Sequence, residues 1–270
     1  MGFGLIVIGD EILSGKRQDR HFARVVELLR MRGLALSWAH FIGDDRAAIA
    51  ALLRRTFAGD DIVFCCGGIG ATPDDHTRQA VAAALDVELE LHPQARELIA
   101  QRIAEMAAER AGAENMDAGA VAALADLSSA ENRQRMKMGE FPAGAAIIPN
   151  PYNRIPGFAI RRHFFVPGFP VMAWPMIESV LDTQFRTLHH SSARGERSFL
   201  VFGLAESTLT PLMEGIERDR APVRVFSLPS VGEAGGRGHI ELGVRGPAPE
   251  IDRAFAELRE GVLALGGEIR

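Results

Sequence analysis

Gly67-Gly68-Ile69-Gly70-Ala71-Thr72-Pro73-Asp74-Asp75 follows directly on the apolar run Asp61-Cys66. A short, continuously apolar run is what a strand covered on both faces requires. The glycines after it permit positive φ and a close approach of backbone to a ligand. Val81, Ala84 and Leu85 then recur at helical spacing. Strand, glycine-rich turn and helix in that order mark an α/β fold, whose ligands bind at the carboxyl ends of the strands.

The same alternation extends in both directions. Phe3-Gly9 is another nearly continuous apolar run, and Phe22, Val25, Val26 and Leu29 follow on one helical face. Leu34-Phe41 reads as a strand, and Ile49, Leu52, Leu53 and Phe57 as a helix. Repeated strand–helix units predict a parallel sheet with right-handed crossovers. Downstream, Pro93 opens a helix to about Ala111 with Leu98, Ile99, Ile103 and Met106 on one face. Ala-, Gly- and Asp-rich sequence to Leu127 predicts short helix and loop, and Ser128-x-x-Glu131 predicts a capping box. Ala145-Ile148, Gly157-Ile160 and Phe164-Val166 read as short strands, and 170–185 as a helix. Periodicity stops near 189–197. This divides the chain into a domain over 1–188 and a small α+β domain over 196–270, with strands at 198–203, 223–228 and 239–245 and helices at 207–218 and 251–265. The 232–238 stretch reads as a mobile loop.

A net charge of −5 over 270 residues offers no excess of Lys and Arg for nucleic acid or an acidic membrane surface. No apolar run reaches the ~20 residues of a membrane span, and the start of the chain lacks the basic region of a signal peptide. The expectation is a cytoplasmic protein. The two cysteines, Cys65 and Cys66, are neighbours in a strand, a poor geometry for a bridge, and read as core thiols. The histidines show no zinc-ligand spacing, and there is no Gly-x-Ser-x-Gly elbow for a serine hydrolase.

Three strand ends carry the residues suited to chemistry. Gly9-Asp10-Glu11 ends the first, Gly43-Asp44-Asp45 the second and the Gly67 loop the third. Main-chain N–H groups of Gly67, Gly68 and Gly70 suit an anion, and Thr72 adds a hydroxyl donor. Asp44 and Asp75 are candidates to hold Mg²⁺ against phosphate oxygens, and Glu11 to orient a water or amine. A Gly-rich turn with a capping aspartate is also an ordinary connection, and capping accounts for Asp45 and, as an alternative, for Asp74. His76 stands beside Asp75, within reach of a ligand at that turn.

The ordered set Ile8-Gly9-Asp10-Glu11-Ile12-Leu13-Ser14-Gly15, Gly43-Asp44, the Gly67–Asp75 loop, Glu131-Asn132-Arg133, Asn150-Pro151, Pro156-Gly157-Phe158, Pro167-Gly168-Phe169-Pro170 and Phe202-Gly203-Leu204-Ala205-Glu206-Ser207 resembles the competence/damage-inducible protein A (CinA) family. That family's first domain belongs to the wider group of molybdopterin-binding domains of molybdenum-cofactor biosynthesis. The resemblance implies a three-layer α/β/α domain with a mostly parallel sheet, followed by a small α+β domain. It also implies a pterin or nucleotide ligand, self-association, and Mg²⁺ where chemistry occurs. Gly9, Asp10, Gly67, Gly68, Gly70, Thr72, Asp74, Asn150, Gly157, Pro167 and Gly168 are then the ligand-binding candidates, and Glu11, Asp44 and Asp75 the catalytic ones. Relatives of this type are associated with hydrolysis of ADP-ribose-like pyrophosphates or with adenylyl transfer to molybdopterin. The amidase domain of long members is not expected in this chain.

Two departures bear on function. Ala71 and Pro73 stand where the family usually has proline and a basic residue, which removes one phosphate contact. Tyr152-Asn153-Arg154-Ile155 is bulky, and Arg154 is a candidate to restore the charge. The expectations are therefore a Mg²⁺-dependent pyrophosphatase on ADP-ribose-like substrates, or a protein that binds molybdopterin or a nucleotide without turning it over.

Overall fold

The computed structural model describes residues 2–190, 194–232 and 237–270. The chain divides into two compact units, Met1–His189 and His190–Arg270. Of the proposed boundary, residues 191–193 lie outside the described residues, as do 233–236 of the 232–238 loop.

In the first unit the elements run β1 (Phe3–Ile8), α1 (Asp10–Leu13), α2 (His21–Met31), β2 (Leu36–Ile42), α3 (Arg46–Phe57), β3 (Ile62–Cys66), α4 (Thr77–Leu85) and β4 (Leu89–Leu91). They continue with α5 (Pro93–Glu114), α6 (Ala118–Ala125), α7 (Ala130–Met136), β5 (Glu140–Pro142), β6 (Ala146–Ile148), β7 (Gly157–Ile160), β8 (His163–Val166) and α8 (Pro170–Gln184). Six strands form one sheet in the order β2-β1-β3-β8-β7-β6. β2, β1, β3 and β8 are parallel; β7 runs antiparallel to β8, and β6, antiparallel to β7, returns to the direction of the other four. The sheet is therefore mixed but mostly parallel, as the family resemblance implies, with β7 the reversed strand. The reason is local: β7 joins β8 through a tight turn, with Ile160 paired to His163, so no crossover helix intervenes.

Strand alternation sorts the apolar residues onto two faces. Leu5, Val7, Phe64, Cys66 and Val166 pack against α2 and α8. Ile6, Ile8, Val63, Cys65 and Phe165 pack against α3 and α4 on the other side. This is the three-layer α/β/α arrangement, and it explains why β1 and β3 are unbroken apolar runs. The two thiols thus face opposite cores, and burial pushes both of them up in pKa.

Asp45 caps α3 by accepting from the Ala48 N–H at 2.7 Å, as expected. The capping expectation for Ser128 is corrected: Ser129 precedes α7 and accepts from the Asn132 N–H, while the Ser128 hydroxyl donates to Asp126. β4 and β5 pair as a small antiparallel ribbon that no sequence pattern announces.

The second unit contains β9 (Arg194–Phe202), α9 (Glu206–Asp219), β10 (Arg224–Ser230), β11 (His239–Pro247), α10 (Ala248–Ala264) and β12 (Glu268–Ile269). Its antiparallel sheet has the order β10-β11-β9-β12, one strand more than expected. Val201, Leu209, Leu242, Val244, Leu258 and Val262 form its core, all fully buried.

Candidate functional site

The order β2-β1-β3 places a topological switch beside β1: the chain leaves β1 for one neighbour and then crosses to the other. Ligands in open α/β sheets bind at such a point, outside the carboxyl ends of the strands. There the structure has a cavity of about 460 Å³. It is lined by Gly9 after β1, Asp44 after β2, the Gly67 loop after β3 and Pro167-Gly168 after β8.

The Gly67 loop is held by its carbonyls. The Thr77 hydroxyl donates to Gly67 O at 2.9 Å and the Thr77 N–H to Gly68 O at 3.0 Å. The Arg78 guanidinium donates to Gly70 O, and the Gln134 amide to Ala71 O at 2.6 Å. With these carbonyls occupied, the N–H groups of Ile69, Gly70 and Ala71 have no protein acceptor among the described residues. Free main-chain donors on a cavity wall suit an anion. Gly67 has φ +113°, and a Cβ there would overlap the Ile8 carbonyl oxygen. Gly67→Ala is expected to cost about 1–3 kcal/mol and to abolish ligand binding. Gly15→Ala, at φ +72° but in open space, is the comparator and is expected to cost about 1 kcal/mol from backbone strain alone. Urea unfolding of both variants measures the difference, and equal losses would exclude the steric cause.

Carboxylates line the same cavity. Asp10 and Asp44 exchange backbone bonds: the Asp10 N–H donates to Asp44 Oδ2 at 2.8 Å, and the Asp44 N–H to Asp10 Oδ1 at 3.2 Å. This reciprocal pair ties the end of β1 to the end of β2. Burial pushes the Asp44 carboxyl above its usual range; the Asp10 N–H opposes this, and the charges of Asp10, Glu11 and Asp74 add to it. The folded state therefore binds this proton more tightly than the unfolded chain does. Stability falls as pH rises from 3.8, the ordinary value, through the raised one, and the deficit persists at neutral pH. Asp44→Asn keeps the Asp10 contact without the charge. It is expected to raise the melting temperature of the ligand-free protein at pH 7, the gap closing below pH 3.8.

Several expected residues are placed differently from one another. Glu11, Asp44, Asp74, Asp75, Thr72, Asn150, Pro167 and Gly168 share the cavity with Gly9, Gly67, Gly68 and Gly70. Asp10 lines an adjoining hollow that also includes Glu11, Asp44 and Asp74. Gly157 is not at the cavity: it lies in β7, where a Cβ would overlap Phe165 O and press on Met176. Asp75 turns back on its own loop and accepts from the Thr72 N–H at 2.9 Å and from the Thr72 hydroxyl. Asp74 does not cap α4, which starts after His76. His76 is outside the cavity lining. Asn150 donates to Asn153 Oδ1 at 2.8 Å and Ile155 O at 2.9 Å, so its amide shapes the 150–155 loop. Arg154 pairs with Glu105 at 2.7 Å, and Arg133 donates to Ser128 O; neither lines the cavity.

The sequence reading missed Arg17, Met138, Asn153, Ile155, Phe169 and Met172, which also line it. They come from four separate stretches of the chain, and no spacing links them. Among the described residues no group of three or more His, Cys, Asp or Glu is arranged to hold a metal ion. A cation shared between one or two carboxylates and a ligand's phosphate needs no such group. The carboxylate oxygens of Asp44 and Asp75, both on the cavity lining, are the donor type that a hard divalent cation of that kind takes.

The profile of the family described as "Probable molybdopterin binding domain" matches residues 4–187. A CinA-like protein of Citrifermentans bemidjiense is 30% identical over 272 aligned residues, which cover 98% of this chain and 59% of that protein. A CinA-like protein of Geobacter sp. (strain M21) is 30% identical over 268 residues, covering 96% and 58%. The chain thus spans less than two thirds of the length of these curated relatives. The crystal structure of the protein CinA with unknown function from Thermoplasma acidophilum matches with a TM-score of 0.53 and 21% identity, over 67% of this chain and 98% of that one; this likeness concerns the fold alone. The chain belongs to the family of probable molybdopterin binding domains, and along nearly its whole length it is similar to CinA-like proteins.

Proposed function

We propose that the cavity binds a pterin or nucleotide, molybdopterin among them, through the ligand's phosphate groups. The observation that carries this reading is the free N–H edge of Ile69, Gly70 and Ala71 at the sheet's switch point, on a cavity of about 460 Å³. That volume lies in the range of small-molecule pockets. Titration calorimetry with molybdopterin, ADP-ribose and FAD, with and without Mg²⁺, tests it. Tight binding of at least one supports the reading, and binding of none overturns it.

A second reading, Mg²⁺-dependent pyrophosphate hydrolysis on ADP-ribose-like substrates, is favoured by the acidic wall. Asp44 and Asp75 would hold the metal, through Asp44 Oδ1 and the Asp75 oxygen that Thr72 leaves open. Bound there, Mg²⁺ supplies neutralisation of phosphate charge. Glu11 would accept a proton from the attacking water. In this reading Asp44→Asn, more stable without ligand, loses turnover. Hydrolysis unchanged in that variant, followed by phosphate release after phosphatase coupling, excludes it.

A further inference from the structure

The cavity is electrostatically lopsided. Four carboxylates line it, those of Glu11, Asp44, Asp74 and Asp75, against a single cationic side chain, Arg17. Among the described residues no hydrogen bond, ion pair or ring contact engages the Arg17 guanidinium, although carboxylates line the same cavity. Its backbone, in contrast, is fixed: the chain turns at Gly15, whose N–H donates to Ile12 O at 3.1 Å, and the Arg17 N–H donates to Glu11 O at 2.9 Å. The acidic residue and the arginine are thus anchored to each other through the main chain while their charged ends stay separate.

An anion entering this cavity meets repulsion from the carboxylates. The N–H edge of the Gly67 loop offsets part of it with neutral donors. A guanidinium adds a full charge and a planar fork that matches two phosphate oxygens. The lining also carries the apolar side chains of Met138, Ile155, Phe169 and Met172, suited to a flat ring. Phe169 is 55% exposed, a large aromatic surface left uncovered beside the cavity.

We propose that Arg17 is the residue through which this cavity selects phosphorylated ligands: it binds a phosphate of a ligand whose heteroaromatic ring lies on the Phe169 side. This rests on the binding reading above and adds to it the group that makes recognition depend on phosphate. Arg17 is exposed and unpaired, so its removal leaves the fold intact. The test is calorimetry of the wild-type chain and Arg17→Gln with ADP-ribose and with adenosine, at low and at high salt. Arg17→Gln is expected to bind ADP-ribose about 10- to 100-fold more weakly, with adenosine unaffected and with a flatter dependence on salt. Equal ADP-ribose affinity in the two proteins overturns the role of Arg17 while leaving the binding reading standing. A wild-type chain that binds none of ADP-ribose, FAD and molybdopterin overturns the binding reading, and this assignment with it. Unchanged melting temperatures exclude a merely structural cause for weakened binding.

Discussion

Arg78→Ala is expected to cost the first unit roughly 3–5 kcal/mol, because each hydrogen bond to a charged group contributes about 1.5–3 kcal/mol. Arg78 is only 3% exposed, and its guanidinium gathers three carbonyls from separate parts of the chain. One nitrogen donates to Lys137 O and to Glu140 O, and the other to Gly70 O. The residue therefore fastens the Gly67 loop to the segment between α7 and β5. Burial lowers the pKa of this guanidinium, against the opposing charges of Glu140 and Asp75, yet arginine stays charged. Removing it leaves buried acceptors without donors and frees Gly70, so ligand binding is expected to disappear together with stability. Arg78→Lys keeps the charge but not the fork, and is expected to recover only part of the loss. Urea unfolding followed by circular dichroism measures both. A loss below about 1 kcal/mol in the alanine variant would show that the three contacts contribute little.

The acid limb of the stability curve is expected to belong largely to His163. Its ring is 1% exposed, with Nε2 2.8 Å from the Thr56 hydroxyl and the ring centroid 4.1 Å from that of Phe57. The Thr56 hydroxyl donates to Leu53 O, so it accepts from Nε2–H and fixes the neutral tautomer. Burial, and then the charge of Arg161, pushes the pKa down to about 4 from an ordinary value of 6.5. Between these values the unfolded chain binds the proton and the folded one does not. The stability that comes from keeping the ring neutral is full above pH 6.5 and is lost as pH falls to about 4. The interval corresponds to about 3 kcal/mol. His163→Phe keeps an aromatic ring against Phe57 and removes the titration. Unfolding free energies at successive pH values should fall more steeply for the wild-type chain between pH 6.5 and 4 than for the variant. Parallel curves would place the acid lability elsewhere.

Both side chains act on the site through the scaffold rather than through a ligand. Arg78 sets where the Gly67 loop ends. His163 opens β8, the strand that ends at the Pro167-Gly168 wall. A second histidine works on that wall directly: His21 Nε2 lies 3.0 Å from Gly168 O.

The amino-acid sequence determined what depends on neighbours in the chain. The apolar runs of β1 and β3, the helical spacing of α2 and α3, the cap at Asp45 and the positive-φ glycine at Gly67 are all dictated within a few residues. So was the cluster of Gly9, Glu11, Asp44 and the Gly67 loop, because strands of one parallel sheet end on the same side. Tertiary structure alone decided the rest. Adjacent serines are equivalent caps on paper, and only the path of the backbone chose Ser129. β7 and β6 are too short to declare their direction, which the pairing of β7 with β8 and of β6 with β7 decided. Arg154 was spent on Glu105, 49 positions away, while Arg17, unmarked by any spacing, became the cavity's cation. The Gly67 loop marks the division: its glycines follow from local sterics, but its free N–H edge exists because Thr77, Arg78 and Gln134 hold its carbonyls from the other side.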